Sequence, residues 1–430
     1  GVADYYATTM ADGFDFANIL VKVREGRPIK IEPNKDANGS TNARVQASVL
    51  SLYDSNRLKA PKAKGTEVSW ADADKQIIAK LNEVKAAGLP IAVLTGTCAS
   101  PSTKKLIGNL NETYGNVNHV VYDAVSESTA LDAFEAMYGE RALPDYNLEK
   151  ADVIVSIGAD FLGDWLDGVT YSKGYTQRRK PEGAWMSKHY QFETMMSMAG
   201  ANADVRGAIK PSDVGNVAKM LHGAVAKLAG SAGASGSLSD DDNNIAAKVN
   251  DAAKDLWAAK GKCLVVCGSN DANIQQVVNG INNLLGNYNN TIRLERAYNV
   301  VQMNDSMVDL TKNMNSGIVD AVIFMDSNPV YSNAAFAAAV SKVGLKISLA
   351  DRPDESSVLC DYVCPSHFFL EAWNDYQPYT GVFTMQQPAI RPLFKTRAAQ
   401  ESLLRWCGVN TSYYDFIKET WTSTAFAGAD

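Results

Sequence analysis

The chain has 430 residues, 46% hydrophobic and 21% charged, close to globular averages, which excludes a disordered chain or a disulfide scaffold. Forty-one Lys and Arg against 48 Asp and Glu leave a formal net charge of −7, which argues against nucleic acid as a partner. No apolar run approaches the ~18 residues a membrane span needs.

At roughly 100–200 residues per domain, two or three lobes are expected. The sequence opens at Gly1 with no initiator Met and no apolar leader. Either a targeting segment has been removed or the start of the precursor is not represented.

Ser69 is placed to cap a helix whose Trp70, Ala73, Ile77, Leu81 and Val84 share one face. Gly88-Leu89-Pro90 ends it, and a strand begins at Ile91–Leu94. Ser100-Pro101 opens a second helix through Leu106 and Leu110. A strand at His119–Tyr122, a helix at Thr129–Met137, a strand at Val153–Ile157 and a helix at Val214–Leu228 follow. The run Arg178-Arg179-Lys180 reads as a solvated loop.

Residues 230–244 read GSAGASGSLSDDDNN, a flexible surface linker by composition whose three Asp are solvated. Beyond it come a helix at Ile245–Trp257, a strand at Cys263–Val266, and helices at Ile274–Leu285 and Met307–Met314. A strand at Ala321–Met325, a helix at Ala334–Val343 and a strand at Lys346–Leu349 complete the series. Apolar runs alternating with helices predict an α/β fold, two doubly wound parallel-sheet lobes around a cleft. Such sheets bind ligands beyond the carboxyl ends of their strands. The turns Thr95–Cys98, Gly158–Asp160, Gly268–Asn270 and Asp326–Pro329 are therefore where a site is sought.

None of His119, His189, His222 and His367 has a His three or four residues away, and no H-E-x-x-H, G-x-S-x-G, Walker loop or G-x-G-x-x-G occurs. No catalytic residue is assigned. Cys263/Cys267 and Cys360/Cys364 have C-x3-C spacing. Four residues of strand span about 13 Å, too far for a disulfide and awkward for one small cluster. These four read as inert core thiols, and no metal site is expected.

Several stretches together resemble the molybdopterin oxidoreductases. Val21–Asn34 and Asn42–Gly65 look like the N-terminal module of that family, and Ser69–Ala73 like its S-W-x-x-A helix entry. Ala151–Trp165 is similar to a strand-to-cofactor turn, and His189 to Lys210-Pro211, with Ala203-Asp204, to a second nucleotide-side turn. Gly317–Tyr331 resembles a strand ending in Asn-Pro, Asp351–Asp375 the E-T-x-x-x-A-D-x-V-L-P-x-x-x-x-L-E stretch, and Gln387–Phe394 also matches. Carried over, the cofactor cleft would comprise Gly158, Asp160, Asp204, Lys210, Pro211, Asn328 and Pro329.

The departures matter as much. Active members hold a [4Fe–4S] cluster through a C-x2-C-x3-C run and a C-x-R-G, whereas no Cys precedes Cys98 here and Asn42 stands at the last ligand position. In the region of the molybdenum ligand, Asp123, Ser126 and Ser128 are the only substitutes, with helix capping as the other role for the serines. Where the family continues into a C-terminal β-barrel, the chain ends with an aromatic helix, Tyr413–Trp421. That helix would either fold onto its own lobe or offer a face to a neighbour.

Loss of cysteines and barrel with retention of the fold is most similar to the large B subunit of bacterial alternative complex III. The resemblance implies a cofactor-free, molybdoenzyme-like scaffold, peripheral on the periplasmic face of the inner membrane. Its partners would be an iron–sulfur module, a multihaem cytochrome with haem c, membrane quinol-binding subunits and a terminal oxidase. Two other readings stay open: a working molybdoenzyme with Ser or Asp on the metal, and a small-molecule binding protein using the inherited cleft. The expected partition is an N-terminal module at 1–65, a lobe at 66–229, the linker at 230–244, a lobe at 245–350 and a return segment with the helix at 351–430.

Overall fold

The computed structural model describes residues 1–241, 243–300 and 302–427. The chain divides into two compact units. One comprises residues 1–126, 299–378 and 382 onward; the other is residues 127–298 with 379–381.

The first unit is built on a seven-stranded sheet. Its order is Thr66–Glu67, Lys62–Ala63, Tyr362–Val363, Leu345–Ser348, Ala321–Met325, Ile91–Thr95, Val117–Val121, and the last five are mutually parallel. Ile91–Thr95 and Ala321–Met325 are buried at every position, as strands covered on both faces must be. Their alternate residues feed two cores. Ile91, Val93, Ile323 and Ile347 meet the helices Trp70–Ala86, Pro101–Tyr114 and Ala399–Trp406, while Leu94, Val322 and Phe324 meet Asn304–Asn315 and Ala334–Val340. Burying each such side chain contributes about 1.5–3 kcal/mol over leaving it exposed.

An antiparallel three-stranded sheet, Asp4–Asp12, Asp15–Arg24 and Arg27–Pro33, belongs to the same unit. Asp15–Arg24 alternates buried and half-exposed residues along its length, the mark of a sheet with one wet face. The C-terminal helix, Tyr413–Ser423, buries Tyr413, Phe416, Ile417 and Thr420 in the core of this unit. Of the two outcomes open for it, this is the inward one; Tyr414 is the residue of its ring-bearing face left largely exposed.

The second unit carries a parallel sheet in the order Val205–Ala208, Lys188–Glu193, Val153–Ile157, Cys263–Cys267. Val214–Leu228, Ile245–Ala258 and Ala272–Leu284 cover one face. The second sheet is thus wholly parallel and the first parallel apart from its two short edge strands, and among the described residues none closes into a barrel.

Two sequence expectations differ from this arrangement. The lobes do not follow one another along the chain: Ile91–Thr95 and Val117–Val121 join the sheet of Ala321–Met325, and the second unit is inserted between residues 126 and 299. Strand adjacency in a parallel sheet is set by crossovers, which leave no local sequence signal, so a division at 230–244 falls inside one unit.

Residues 230–244 are also not a loose linker; Asp242 lies outside the described residues. A Cβ on Gly233 would stand 2.6 Å from the Gly223 Cα, and one on Gly236 2.3 Å from the Asn216 carbonyl oxygen. The glycines let this segment lie directly on the helix Val214–Leu228. The Ala234 amide donates to His222 Nδ1 at 3.0 Å, and Leu238 packs against the core.

Candidate functional site

Within the first unit, the carboxyl ends of the parallel strands open on a cavity of about 730 Å³, walled throughout by residues of that unit. Three of the five parallel strands, and the N-terminal hairpin, deliver carboxylates to it. Asp123 follows Val117–Val121, Asp326 follows Ala321–Met325, Asp351 and Asp354 follow Leu345–Ser348, and Asp12 comes from the hairpin after Asp4–Asp12.

Asp123 is fixed by the Thr97 amide at 3.0 Å, by the Thr97 hydroxyl and by Gln302 Nε2 at 2.5 Å. Asp326 differs. Its backbone is left-handed, φ +52°, and its carboxyl has no hydrogen-bond partner among the described residues. It lines the cavity and is solvent-accessible there. Burial, with Asp351 and Asp12 adding repulsion, pushes it up to about 6. Burial likewise raises Asp12, with Asp15 contributing and Arg44 opposing.

Arg352 is the only Lys or Arg among the described lining residues, and it is already bonded to Asp351 at 2.9 Å and Asp54 at 3.0 Å. His367 donates to or accepts from Thr396 at 2.7 Å, and burial lowers its pKa. Aromatic faces complete the wall: Phe16, Phe368, Phe369, Trp373 and Tyr376.

The residues carried over by resemblance lie in both units. Asn328 lines the cavity; its Oδ1 accepts from Ser356 N at 3.1 Å and Oγ at 2.7 Å, and its Nδ2 donates to Glu355 at 2.7 Å. Pro329 starts a short helix after it. Asn42 caps the helix Ala43–Ser51, accepting from Val45 N at 2.9 Å, and its Nδ2 donates to Asp15 at 3.0 Å.

In the second unit, Asp160 accepts from the Ala199 amide at 2.9 Å. Asp204 takes a two-point contact from Arg179 at 2.7 and 3.0 Å and the His189 amide at 2.7 Å. Lys210 is ion-paired to Asp240 of the docked 230–244 segment, and Pro211 opens the turn into Val214–Leu228. Substituting Asp204→Ala is therefore expected to lower stability by about 1 kcal/mol, read as a lowered thermal midpoint.

Gly158 needs its glycine for φ +70°, and it meets the next strand's turn closely. A Cβ on Gly268 would stand 2.4 Å from the Gly158 carbonyl oxygen. Gly268→Ala should cost about 1–3 kcal/mol by forcing the two turns apart, read as a lowered urea midpoint.

Of the substitutes for a metal ligand, Asp123 is bound as above. Ser128 is the first residue of the helix Ser128–Tyr138, not its cap, and its hydroxyl accepts from Arg141 at 3.2 Å. The helix cap is Glu127, without a side-chain bond to the first turn. Cys263, Cys267 and Cys364 are buried, and burial pushes each thiol up to about 12. Cys360 is half-buried and shifted the same way. Among the described residues no three His, Cys, Asp or Glu side chains are placed to hold a metal ion.

Sequence reasoning located the turns Thr95–Cys98 and Asp326–Pro329 and named Asp123, but not the convergence of these carboxylates with Asp12, Asp351 and Asp354. Asp12 sits in a hairpin to which no site residue was assigned, and the carboxylates come from points over 300 residues apart.

Comparisons with known proteins agree with this architecture. No family model matches the chain. The menaquinone reductase molybdopterin-binding-like subunit of Nitratidesulfovibrio vulgaris (strain Hildenborough) is 26% identical over 438 aligned positions, covering 90% of this chain. The chain spans 62% of the length of that relative. Acetylene hydratase from Pelobacter acetylenicus superposes with a TM-score of 0.66 at 12% identity, covering 94% of this chain and 67% of the other. The chain is thus similar in sequence to a molybdopterin-binding-like subunit and shares its fold with acetylene hydratase.

Proposed function

We propose that the chain is the cofactor-free, molybdoenzyme-like scaffold portion of a membrane-associated respiratory quinone oxidoreductase of the alternative complex III type. It holds an iron–sulfur module and haem c-bearing and quinone-binding subunits together on the periplasmic face of the membrane. The relative's name, a menaquinone reductase subunit, supports the link to quinone chemistry. No described helix is long and apolar enough to cross a membrane.

The observation that carries the cofactor-free reading is the chemistry of the turns. A pterin dinucleotide bears a pyrophosphate, which is bound by N–H donors and cations. The cavity turns present Asp12, Asp123, Asp326, Asp351 and Asp354, and Arg352 is already committed to carboxylates. In the second unit Lys210 is taken by Asp240. These residues do not fit that group.

The test is elemental and pterin analysis of the purified complex. Molybdenum and tungsten below about 0.1 per chain, with iron traced to another subunit, are the expected results. One equivalent of either metal on this chain would overturn the proposal.

A further inference from the structure

We propose that Tyr379 is a redox-active residue: a one-electron oxidant at the surface of the second unit draws an electron from it through Trp165, Tyr171 and Tyr298, while its phenolic proton passes to Asp167. The proposal goes beyond the scaffold reading and does not rest on it.

All five residues belong to the second unit, and their rings form a series leading inward from the half-buried Trp165. Trp165 stacks on Tyr171 with centroids 6.0 Å apart. The Tyr298 hydroxyl donates to the Tyr171 hydroxyl at 2.5 Å, and the Tyr298 and Tyr379 ring centroids are 4.7 Å apart. Tyr171, Tyr298 and Tyr379 are all buried. Ring contacts of this kind also serve ordinary packing, so the rings alone assign no role.

What singles out Tyr379 is its proton acceptor. Its hydroxyl donates to Asp167, a fully buried carboxylate that also accepts from the Thr170 amide at 3.1 Å. A phenol that loses an electron becomes a strong acid, and a base already within hydrogen-bond reach takes its proton in the same event. Burial pushes Asp167 up to about 6, so at neutral pH it is still a carboxylate. Burial also holds the Tyr379 phenol well above its ordinary range, so it keeps its proton until it is oxidised. The Arg296 guanidinium, 4.6 Å from the Tyr379 ring centroid, disfavours a ring cation and so couples loss of the electron to loss of the proton. The oxidant gains one electron, the phenolic O–H bond breaks, and a neutral tyrosyl radical and a protonated Asp167 result. A one-electron donor reverses both transfers. Tyr190 is the contrast: it donates to Asp255 at 2.5 Å, but that carboxylate is partly exposed and already paired with Lys188 at 2.7 Å.

Flash-quench oxidation of the purified full chain with a ruthenium(III) polypyridyl complex tests this, read by transient absorption and electron paramagnetic resonance. A neutral tyrosyl radical is expected in the wild-type protein. Tyr379→Phe should lower its yield about tenfold, whereas Tyr190→Phe should leave it unchanged. Asp167→Asn keeps an acceptor for Tyr379 and a good helix cap but cannot take the proton, and it too should lower the yield about tenfold. Thermal melts check that each variant is folded. A ring-fluorinated tyrosine at position 379 needs no destabilising change, and it should add a fluorine splitting to the resonance spectrum.

Absence of a tyrosyl radical in the wild-type protein would overturn the proposal. So would an unchanged yield in folded Tyr379→Phe or Asp167→Asn, a radical lost in Tyr190→Phe, or a spectrum without fluorine splitting from the labelled protein.

Discussion

Glu371→Gln is expected to destabilise the protein by about 3–5 kcal/mol, the range for breaking a buried ion pair by removing one partner's charge. Neither side chain of the Arg57–Glu371 pair has any exposure. Arg57 Nη1 and Nη2 donate to the two carboxylate oxygens at 3.0 and 2.8 Å. Glu371 also accepts from the amides of Phe368 at 2.9 Å and Leu393 at 3.1 Å. The guanidinium is stacked near the rings of Phe368 and Phe394, 5.7 and 5.2 Å from their centroids. One contact thus ties residue 57 to three parts of the return segment.

The pair also sets a pH dependence. Burial alone would raise Glu371, but the bonds from Arg57 and the two amides outweigh it and hold the carboxyl below its ordinary range. A depressed carboxyl pKa contributes stability that is present above the unfolded value, about 4.3, and is lost as pH falls through the folded one. Wild-type protein should therefore lose stability below about pH 4.3 more steeply than Glu371→Gln does. A double substitution, Arg57→Met with Glu371→Met, should cost less than Glu371→Gln, since it leaves no stranded charge. Urea midpoints across pH 3.5–7.5 measure all three. A single variant as stable as wild type would remove the pair from the list of structural determinants.

Much of the fold was legible because its signals are local. The face formed by Ala73, Ile77, Leu81 and Val84, the Ser69 cap and the strands at 91–95, 153–157, 263–267 and 321–325 all appear as the patterns imply. The N-terminal hairpins escaped because a one-sided strand such as Asp15–Arg24 spreads its apolar residues among polar ones. Composition misled at residues 230–244, where Gly and Ser read as freedom but serve close contact with the helix Val214–Leu228. The site was half legible. Turn positions follow from strand ends, but which side chains share a cavity depends on sheet order, and Asp12, Asp123, Asp326 and Asp351 meet only once 91–121 and 321–348 lie side by side.

Asp375 is the second position where a single change should have a large effect, because it joins the C-terminal helix to the helix Pro101–Tyr114. It is fully buried. Its Oδ1 accepts from Ser100 Oγ at 2.5 Å, and its Oδ2 accepts from Ser102 Oγ at 2.5 Å and Trp421 Nε1 at 2.7 Å. Beside it, Tyr413 donates to Asn374 at 2.8 Å. A carboxylate at the first turn of Pro101–Tyr114 also meets the positive end of that helix. Asp375→Ala leaves the buried Ser102 hydroxyl and the half-buried Trp421 N–H without their acceptor at about 1–3 kcal/mol each, while Ser100 keeps Asn374 at 3.1 Å; since neighbouring losses do not add fully, a total of about 2–4 kcal/mol is expected. Trp421→Phe removes one donor and leaves Asp375 its serines, so about 1 kcal/mol is expected there. The two variants should also differ in how the tail is held. Limited proteolysis of Asp375→Ala should release residues beyond about 410 well before the rest of the chain is cut, because the helix loses its polar anchor while keeping its Phe416 and Ile417 contacts. Equal melting of Asp375→Ala and wild type, or equal protection of the tail, would mean that apolar packing alone docks this helix.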